Sequence, residues 1–391
     1  MSGVDEATLA ASAHRRLVDE CAFADAAPSP VELRQRLVEL VREEAPLLAP
    51  ARLRSIVDAL MRDVTGLGPI EPLLDDPDVT EVMLNGPGRS WIERHGRLEA
   101  VAVDLDAAAI GRIVERIIAP LGLRCDRSAP VVDARLPDGS RLHAVLPPVA
   151  IDGPYVNIRR FRSVGVGLDA FSDDARLHTL LRWAVHVGWN LLISGGTSSG
   201  KTTLLNALSA SLPADDRIVT IEETAELALA QPHVVRLEAR HPNAEGAGAV
   251  SVRDLVRASL RMRPQRIVIG EVRGAEALDL IEALNTGHDG SLSTIHANGP
   301  AEALLRLETL AMRGGDLPPS AVRAHVSSSI DAVIQVVRDP DGARRAAAVA
   351  EVTGDPPELS TRSLWTAHAG LIATPSRPAR RFDAPAFGAT S

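Results

Sequence analysis

Hydrophobic positions at helical spacing mark the first part of the chain. Apolar side chains recur three or four positions apart there, at Val31, Leu33, Leu37, Leu40 and Val41. Pro50 and the segment 66–69 (GLGP) interrupt the pattern further along the chain. Such spacing places apolar side chains on one face of a helix. We therefore predict a helical N-terminal extension over residues 1–62.

Short runs of alternating apolar and polar residues replace the helical pattern from about residue 78. The runs are TEVMLNG, SWIERHG, RLEAVAV, DARLPDGSRLHAVLP and YVNIRRF. Asp138-Gly139 is typical of a hairpin turn, and a helical stretch near 106–119 interrupts the strands. The pattern predicts a small α+β domain over residues 63–162.

Strand and helix patterns alternate in the second half of the chain. A glycine-rich link (SVGVG) and a helix with Leu177, Leu180 and Leu181 occupy residues 163–188. The later strand candidates are residues 190–194, 217–221, 233–237, 266–269 and 291–296. Alternation of this kind predicts an α/β domain over residues 189–354, with a mostly parallel sheet covered on both faces.

The end of the chain has a different composition. Residues 355–391 are rich in Pro, Ala, Ser and Arg and show no apolar period. A segment of this kind cannot build a core of its own. We predict a disordered or accessory tail.

Composition narrows the class of protein. A chain of 391 residues with 45% hydrophobic content is long enough for two packed cores. Its formal net charge of -9 is opposite in sign to that of a general nucleic-acid binder, so we expect no direct nucleic-acid partner.

The cysteines and the apolar runs bear on where the protein works. Two cysteines, Cys21 and Cys125, are too few for a disulfide framework or a four-ligand zinc site, which fits a reducing cytosol. No apolar run approaches ~18 residues and the first residues lack the order of a secretory signal, so we expect no unaided membrane insertion.

A glycine-rich loop carries the clearest chemical signal. The segment LLISGGTSSGKTTLL reads as an apolar strand, a G-x4-G-K-T loop and a helix start, which is the context of a phosphate-binding P-loop. The predicted nucleotide-binding residues are Gly195, Gly196, Thr197, Ser198, Ser199, Gly200, Lys201, Thr202 and Thr203.

The loop residues have distinct expected roles. Backbone N–H groups and the helix N-terminus would hold ATP phosphates, Lys201 would reach the β- and γ-phosphates, and Thr202 would ligate Mg²⁺. Lys201 is the single lysine among 42 basic residues. A compact ammonium is not interchangeable with a planar guanidinium where a phosphate lies inside a tight loop.

Two further apolar strands end in carboxylates. The strand RIVIGEVRG delivers Glu271, which we predict to serve Mg²⁺ either directly or, because Gly270 precedes it, through a water molecule. The strand IVTIEETAE delivers Glu222, Glu223 and Glu226, one of which could act as general base on the attacking water.

Two histidines lie in the segment TGHDGSLSTIHAN. His296 is the candidate sensor of the γ-phosphate, while a structural hydrogen bond is the alternative for both His288 and His296. Neither has a third ligand at metal-binding spacing.

Arginines cluster without an aromatic platform for bases, so we expect them to contact phosphates or a subunit interface; they are Arg159, Arg160, Arg162, Arg257, Arg261, Arg263, Arg266 and Arg273. Ring ATPases often complete their site with an arginine of the neighbouring subunit, and Arg141 and Arg160 are the candidates for that catalytic role. Salt-bridged surface arginines are the alternative.

Four ordered segments closely resemble the secretion ATPases of type II and type IV systems. They are GGTSSGKTT, IVTIEETAEL, RMRPQRIVIGEVRG and TGHDGSLSTIHAN, which match the Walker A loop, acidic box, Walker B strand and His box of that family. The nearest branch looks like the CpaF-type ATPases of Flp (tight-adherence) pili. The resemblance extends over residues 55–352, because GLGPIEPLLDDPDVTEVMLNGP and LPDGSRLHAVLPPVAIDGPYVNIRRF also fit.

The resemblance implies a fold and an assembly. It implies a RecA-like ATPase domain after a smaller regulatory domain, with ATP and Mg²⁺ bound between them. It also implies a homohexameric ring in the cytoplasm, peripheral to the inner membrane, that works on a platform protein. Family members commonly carry aspartate in the acidic box at the position of Glu223, and we predict that Glu223 activates the water.

These expectations lead to three candidate functions. The first is a motor that powers Flp-type pilus assembly or secretion. A conjugative DNA-transfer ATPase shares the same motifs and is the alternative. A scaffold that binds nucleotide without hydrolysing it is the third. The absence of a four-cysteine module points away from the type II extension motors that contain one.

Overall fold

The computed structural model describes residues 6–21, 28–136, 138–160, 165–240, 242, 247–354, 358–381 and 386–388. The chain divides into two compact units, Met1–Arg162 and Ser163–Ser391. Parts of the predicted extension, glycine-rich link and tail lie outside the described residues.

Helices form the beginning of the first unit; they are α1 (Glu6–Cys21), α2 (Pro30–Glu44) and α3 (Pro50–Thr65). Helix α2 begins at a complete capping box, in which Ser29 and Glu32 each accept a hydrogen bond from the other's backbone N–H. Pro30 suits the first turn because its ring fixes a helical φ and its missing N–H needs no partner there. The helices share a core of their own, built from Leu9, Ala13, Leu17, Leu33, Leu37, Leu40, Val41, Leu53, Ile56, Val57 and Leu60.

An antiparallel sheet forms the rest of the first unit, after the short helix α4 (Glu71–Asp75). Its strands are β1 (Val79–Asn85), β2 (Ser90–Arg94), β3 (Arg97–Val101), β4 (Val131–Arg135), β5 (Arg141–Val145) and β6 (Tyr155–Arg159), in the order β3-β2-β1-β6-β5-β4. Helix α5 (Ala107–Ile118) buries its apolar face against one side of this sheet. The alternating sequence pattern follows from this arrangement, since only one face of each strand is buried.

A nine-stranded sheet organises the described part of the second unit. Its strands are β7 (Leu191–Gly195), β8 (Ile218–Glu222), β9 (Val234–Glu238), β10 (Arg266–Val272), β11 (Leu292–His296), β12 (Ala332–Arg338), β13 (Arg344–Thr353), β14 (Ser360–Thr366) and β15 (Gly370–Leu371). The order is β15-β14-β13-β12-β7-β11-β10-β8-β9, and the strands from β12 to β9 are parallel. The helices are α6 (Ala175–His186), α7 (Lys201–Ser209), α8 (Val252–Ser259), α9 (Glu276–Leu284), α10 (Pro300–Ala311) and α11 (Pro319–Ser329).

Apolar cores cover both faces of the parallel strands. On β7, Leu191 and Ile193 pack into one core with residues of α6 and α7, while Leu192 packs into the other with residues of α9 and α10. A strand buried on both sides has to be apolar throughout, as LLI is. The predicted α/β class with a smaller α+β domain and a helical extension is confirmed.

Antiparallel strands extend the sheet beyond β12, and the sequence analysis did not predict them. The prediction of a disordered tail is wrong for residues 360–381. Strand β14 pairs with β13, and Trp365 is only 2% exposed. The segment needs no apolar period, because its few apolar side chains pack into a core that neighbouring strands and helices supply.

Arginines of this C-terminal segment pair with buried aspartates that lie just before β8 and β12. Arg380 Nε lies 2.5 Å from Asp331 Oδ2, and Arg381 Nη2 lies 2.8 Å from Asp216 Oδ2. Arg266, which is fully buried, also pairs with Asp216 at 2.6 Å. The arginine-cluster prediction of a phosphate or interface contact is therefore wrong for Arg266, because its guanidinium lies inside the unit.

Candidate functional site

Glycines shape the loop between β7 and α7. A side chain at Gly195 would place its Cβ 2.5 Å from the Val336 carbonyl oxygen, so the close approach of β12 excludes one. Gly200 has a φ of +99°, a left-handed conformation that glycine adopts without strain. Helix α7 begins at the next residue, Lys201. Its N-terminus and the loop therefore form the cradle that phosphates favour.

Lys201 lies inside this cradle with only 7% exposure. Its ammonium donates hydrogen bonds to the carbonyl oxygens of Gly195 (3.1 Å) and Gly196 (2.9 Å). Burial lowers the pKa of Lys201, and the negative charge of Glu271 opposes that change. The carboxylate thus helps to keep the ammonium charged at the point where phosphate would bind.

Neighbouring parallel strands bring the other predicted residues to the same sheet edge. His296 ends β11 and pairs in register with Gly195 of β7. Glu271 lies near the end of β10, the next strand in the sheet. His296 Nε2 is 3.0 Å from Glu271 Oε1, an ion-pair distance without hydrogen-bond alignment, and 3.4 Å from Lys201 Nζ.

Burial lowers the pKa of His296, and its neighbours act in both directions. Glu271 raises this pKa, whereas the positive charge of Lys201 lowers it. The net direction is downward, so the imidazole is neutral at neutral pH and one ring nitrogen can accept a hydrogen bond. A neutral ring can respond to a nearby phosphate by changing its hydrogen-bond partner.

Glu223 joins the site through Arg273, which sequence analysis placed only in a general arginine cluster. Arg273 Nη2 lies 2.8 Å from Glu271 Oε2, and Nη1 lies 2.8 Å from Glu223 Oε2. The second unit thus contains a continuous chain of polar side chains; it runs through Lys201, His296, Glu271, Arg273 and Glu223.

Glu222 has a different position from Glu223, its neighbour in the acidic box. It is 3% exposed, and its Oε1 accepts hydrogen bonds from the backbone N–H groups of Glu226 (2.8 Å) and Leu227 (2.9 Å). Gly270 leaves room for it, since a Cβ there would lie 2.8 Å from Glu222 Cγ. Burial raises the pKa of Glu222 to about 7, although the two N–H donors oppose the change.

The raised pKa makes stability depend on pH. Between its ordinary value of 4.5 and about 7, Glu222 is protonated in the folded state and ionised in the unfolded state. The folded state binds more protons there, so this contribution to stability is complete below pH 4.5 and is lost as pH rises through 7. Glu222→Gln should remove this dependence. The free energy of unfolding of the variant minus that of wild type should therefore be about 3 kcal/mol more positive at pH 8 than at pH 4.5. Chemical denaturation at both pH values measures the difference, and a constant difference would contradict it.

Oxygen donors at the start of α7 and near the end of β10 suit a magnesium nucleotide. Thr202 is half-buried in the first turn, and Glu271 supplies a carboxylate with 21% side-chain exposure. Within the described ranges no cluster of three His, Cys, Asp or Glu side chains forms a metal site. Mg²⁺ fits this donor set because it takes one or two protein oxygens together with phosphate oxygens and water. The buried Ser199 Oγ, which has no hydrogen-bond partner, also fits a loop made to receive a polar ligand.

Thr203 contacts Arg344, a residue that sequence analysis missed. Arg344 Nη1 donates to Thr203 Oγ1 at 3.1 Å, and a Cβ on Gly200 would lie 2.7 Å from Arg344 Cδ. Arg344 also lines a polar cavity of about 690 Å³ together with Phe171 and Trp365. The cavity thus lies next to the P-loop.

The remaining candidates have structural contacts. His288 Nδ1 lies 3.0 Å from the Ala283 carbonyl oxygen near the end of α9, which is the structural alternative. In the first unit, Arg160 Nη1 donates to the carbonyl oxygens of Asp76 and Val79, whereas Arg141 Nη2 lies 3.4 Å from Asp133 Oδ1. The catalytic roles of Arg141 and Arg160 stay predictions.

No helix in the described residues has the length and apolar character needed to span a bilayer.

Comparison with known proteins gives the family. The family described as type II/IV secretion system protein matches residues 63–370. A protein named as a conjugal transfer protein in Mycobacterium tuberculosis is 38% identical over 83% of this chain and 95% of its own length. The type IV secretion system protein PtlH of Bordetella pertussis is 37% identical over 71% of this chain and 91% of its own length.

Solved structures agree on the fold. The ATPase DotB of Legionella pneumophila aligns with a TM-score of 0.53 at 22% identity, over 71% of this chain and 78% of DotB. The pilus retraction motor PilT aligns with a TM-score of 0.52 at 16% identity, over 72% of this chain and 80% of PilT. The likeness to these two structures shows the fold, and the family match shows the activity. The chain belongs to the type II/IV secretion system protein family and is an ATPase.

Proposed function

We propose that this chain is the ATPase motor of a type IV secretion apparatus of the conjugal-transfer kind. The observation that carries the proposal is the chain of side chains from Lys201 to Glu223 at the P-loop. The names of its relatives in Mycobacterium, Rhizobium and Bordetella support the secretion apparatus. A motor for Flp-type pilus assembly is the second candidate, which is favoured by the order and the amino-acid sequences of the four motifs.

The proposed chemistry assigns a role to each group. Lys201 holds the β- and γ-phosphates, and Thr202 and Glu271 would hold Mg²⁺, which neutralises charge on the phosphates when bound. Glu223 orients and deprotonates the attacking water. His296, neutral and 3.4 Å from Lys201, changes partner when the γ-phosphate leaves. The cavity beside Arg344 offers space for the nucleoside part of ATP.

The proposed work cycle uses several copies of the chain. Six copies form a cytoplasmic ring peripheral to the membrane, and an arginine of the adjacent copy, with Arg141 and Arg160 as candidates, completes each site. Binding of ATP and its hydrolysis drive a cycle of hinge movements, which Gly165 and Gly167 absorb. A membrane platform protein of the apparatus receives the motion.

Affinity capture from detergent-solubilised native membranes tests this function. Tagged Glu271→Gln protein, which should bind ATP and hydrolyse it slowly, is captured with and without Mg-ATP, and Lys201→Ala is the matched control. We expect Mg-ATP to enrich multi-span channel and DNA-transfer components with Glu271→Gln and not with Lys201→Ala. Enrichment of pilin-like proteins would favour the pilus motor instead. Recovery of no membrane component under any condition would contradict both assignments.

A further inference from the structure

Arg273 contacts two candidate catalytic carboxylates, which come from the ends of two different strands. Its two terminal nitrogens face Glu271 Oε2 and Glu223 Oε2, each at 2.8 Å. Glu271 belongs to β10 and Glu223 follows β8, the neighbouring strand. A planar guanidinium can make such a fork with fixed geometry, whereas a single ammonium cannot.

The backbone beneath Arg273 is itself held in place. Glu276, 9% exposed in the first turn of α9, accepts hydrogen bonds from the backbone N–H groups of Arg273 (2.6 Å) and Gly274 (2.7 Å) at one carboxylate oxygen. Both bonds go to a charged acceptor, which strengthens them. The guanidinium therefore starts from a fixed turn, which reduces the entropy lost in reaching both carboxylates.

Charge explains what the fork does. Glu223 and Glu271 would repel each other as two carboxylates at one sheet edge, and Arg273 supplies the cation between them. Glu271 directs one oxygen to Arg273 and the other to His296 at 3.0 Å. Loss of the guanidinium would free Glu271 to rotate away from His296 and Lys201.

We propose that Arg273 is a positioning residue that holds Glu223 and Glu271 in the geometry required for ATP hydrolysis. The proposal rests on the ATPase activity and is independent of the cargo. Arg273 acts through the two carboxylates and does not itself bind the nucleotide. Its loss should therefore lower kcat and leave the KM for Mg-ATP nearly unchanged.

Steady-state ATP turnover of Arg273→Gln and Arg273→Lys tests the proposal. We expect Arg273→Gln to lower kcat by about 10- to 100-fold, the effect of losing a charge-assisted contact, with KM within about twofold. Arg273→Lys should recover part of the loss, since its ammonium can reach one carboxylate. Arg313→Gln is the control, because Arg313 is an exposed arginine of the same unit. Equal kcat for Arg273→Gln and Arg313→Gln would overturn the proposal, and so would a raised KM with unchanged kcat.

A double variant separates positioning from general damage. If Arg273 works by holding Glu223, Arg273→Gln should lower kcat less in a Glu223→Gln background than in wild type, because the carboxylate that it positions is already absent there. Fully multiplicative losses would overturn the proposal even if Arg273→Gln folds poorly. Wild-type protein without turnover would contradict the ATPase activity itself, which distinguishes that failure from this one.

Discussion

Lys201→Ala should lower ATP turnover by at least about 100- to 1,000-fold, the loss typical of removing one preorganised donor from a reacting centre. Lys201 is 7% exposed and its ammonium donates hydrogen bonds to the carbonyl oxygens of Gly195 and Gly196, so it lies at the centre of the phosphate cradle. No other lysine can replace it, because Lys201 is the single lysine of the chain. Phosphate release from purified protein at saturating Mg-ATP measures the effect.

Lys201→Arg is the informative companion to Lys201→Ala. It keeps the charge, but the planar guanidinium is larger and less flexible than the ammonium. We expect its turnover to stay within about tenfold of Lys201→Ala, because position at the γ-phosphate matters more than charge alone. Turnover of Lys201→Ala close to that of wild type would show that the measured activity comes from another protein or another site.

Local sequence was sufficient to predict the glycine-rich loop between β7 and α7 and the strands around it. Positions 195–203 combine glycines, a lysine and hydroxyl residues in one continuous segment, so their proximity in space follows from proximity in the chain. The placement of Glu271 and His296 beside Lys201 could also be predicted, because parallel strands end at one sheet edge. Both inferences needed only the strand pattern and its direction.

The division of labour within the acidic box could not be predicted from sequence. Glu222 and Glu223 are adjacent and chemically equal, yet Glu222 ends the buried strand β8 at 3% exposure, whereas Glu223, just past the strand, has 44% side-chain exposure. Which of them is buried depends on the register of β8 and on the space left by Gly270. The contact of Arg273 with both strand ends likewise depends on the turn that Glu276 holds. These are tertiary facts without a local signal.

The C-terminal segment shows the same limit of local patterns in a larger element. Its arginines resemble those of a solvated tail, but Arg377, Arg380 and Arg381 pair with aspartates that are almost fully buried. Trp189 Nε1 also donates to the Pro378 carbonyl oxygen at 3.1 Å. A high content of charged residues predicts disorder only where the folded protein offers those residues no buried partner of opposite charge.

Ending the chain after Ile372 should therefore destabilise the second unit strongly. Asp331, with 4% side-chain exposure, would lose both Arg377 and Arg380, and Asp216 would lose Arg381. Leaving a buried carboxylate without its partner costs about 3–5 kcal/mol. For a unit of this size that loss corresponds to a melting temperature lower by roughly 6–20 °C. Scanning calorimetry of the full chain and the shortened chain measures it.

A matched truncation after Arg381 isolates the arginines from the rest of the tail. It keeps these ion pairs and removes the edge contact of Phe387 with Trp183, which is worth about 0.5–1.5 kcal/mol. Its melting temperature should lie much closer to that of the full chain. The pair Arg380→Gln and Arg380→Gln/Asp331→Asn refines the test, because removing the buried charge together with its partner should recover part of the loss. If both truncations melt together with the full chain, the segment contributes nothing to stability, and the ion pairs with Asp331 and Asp216 are not what holds this edge of the sheet.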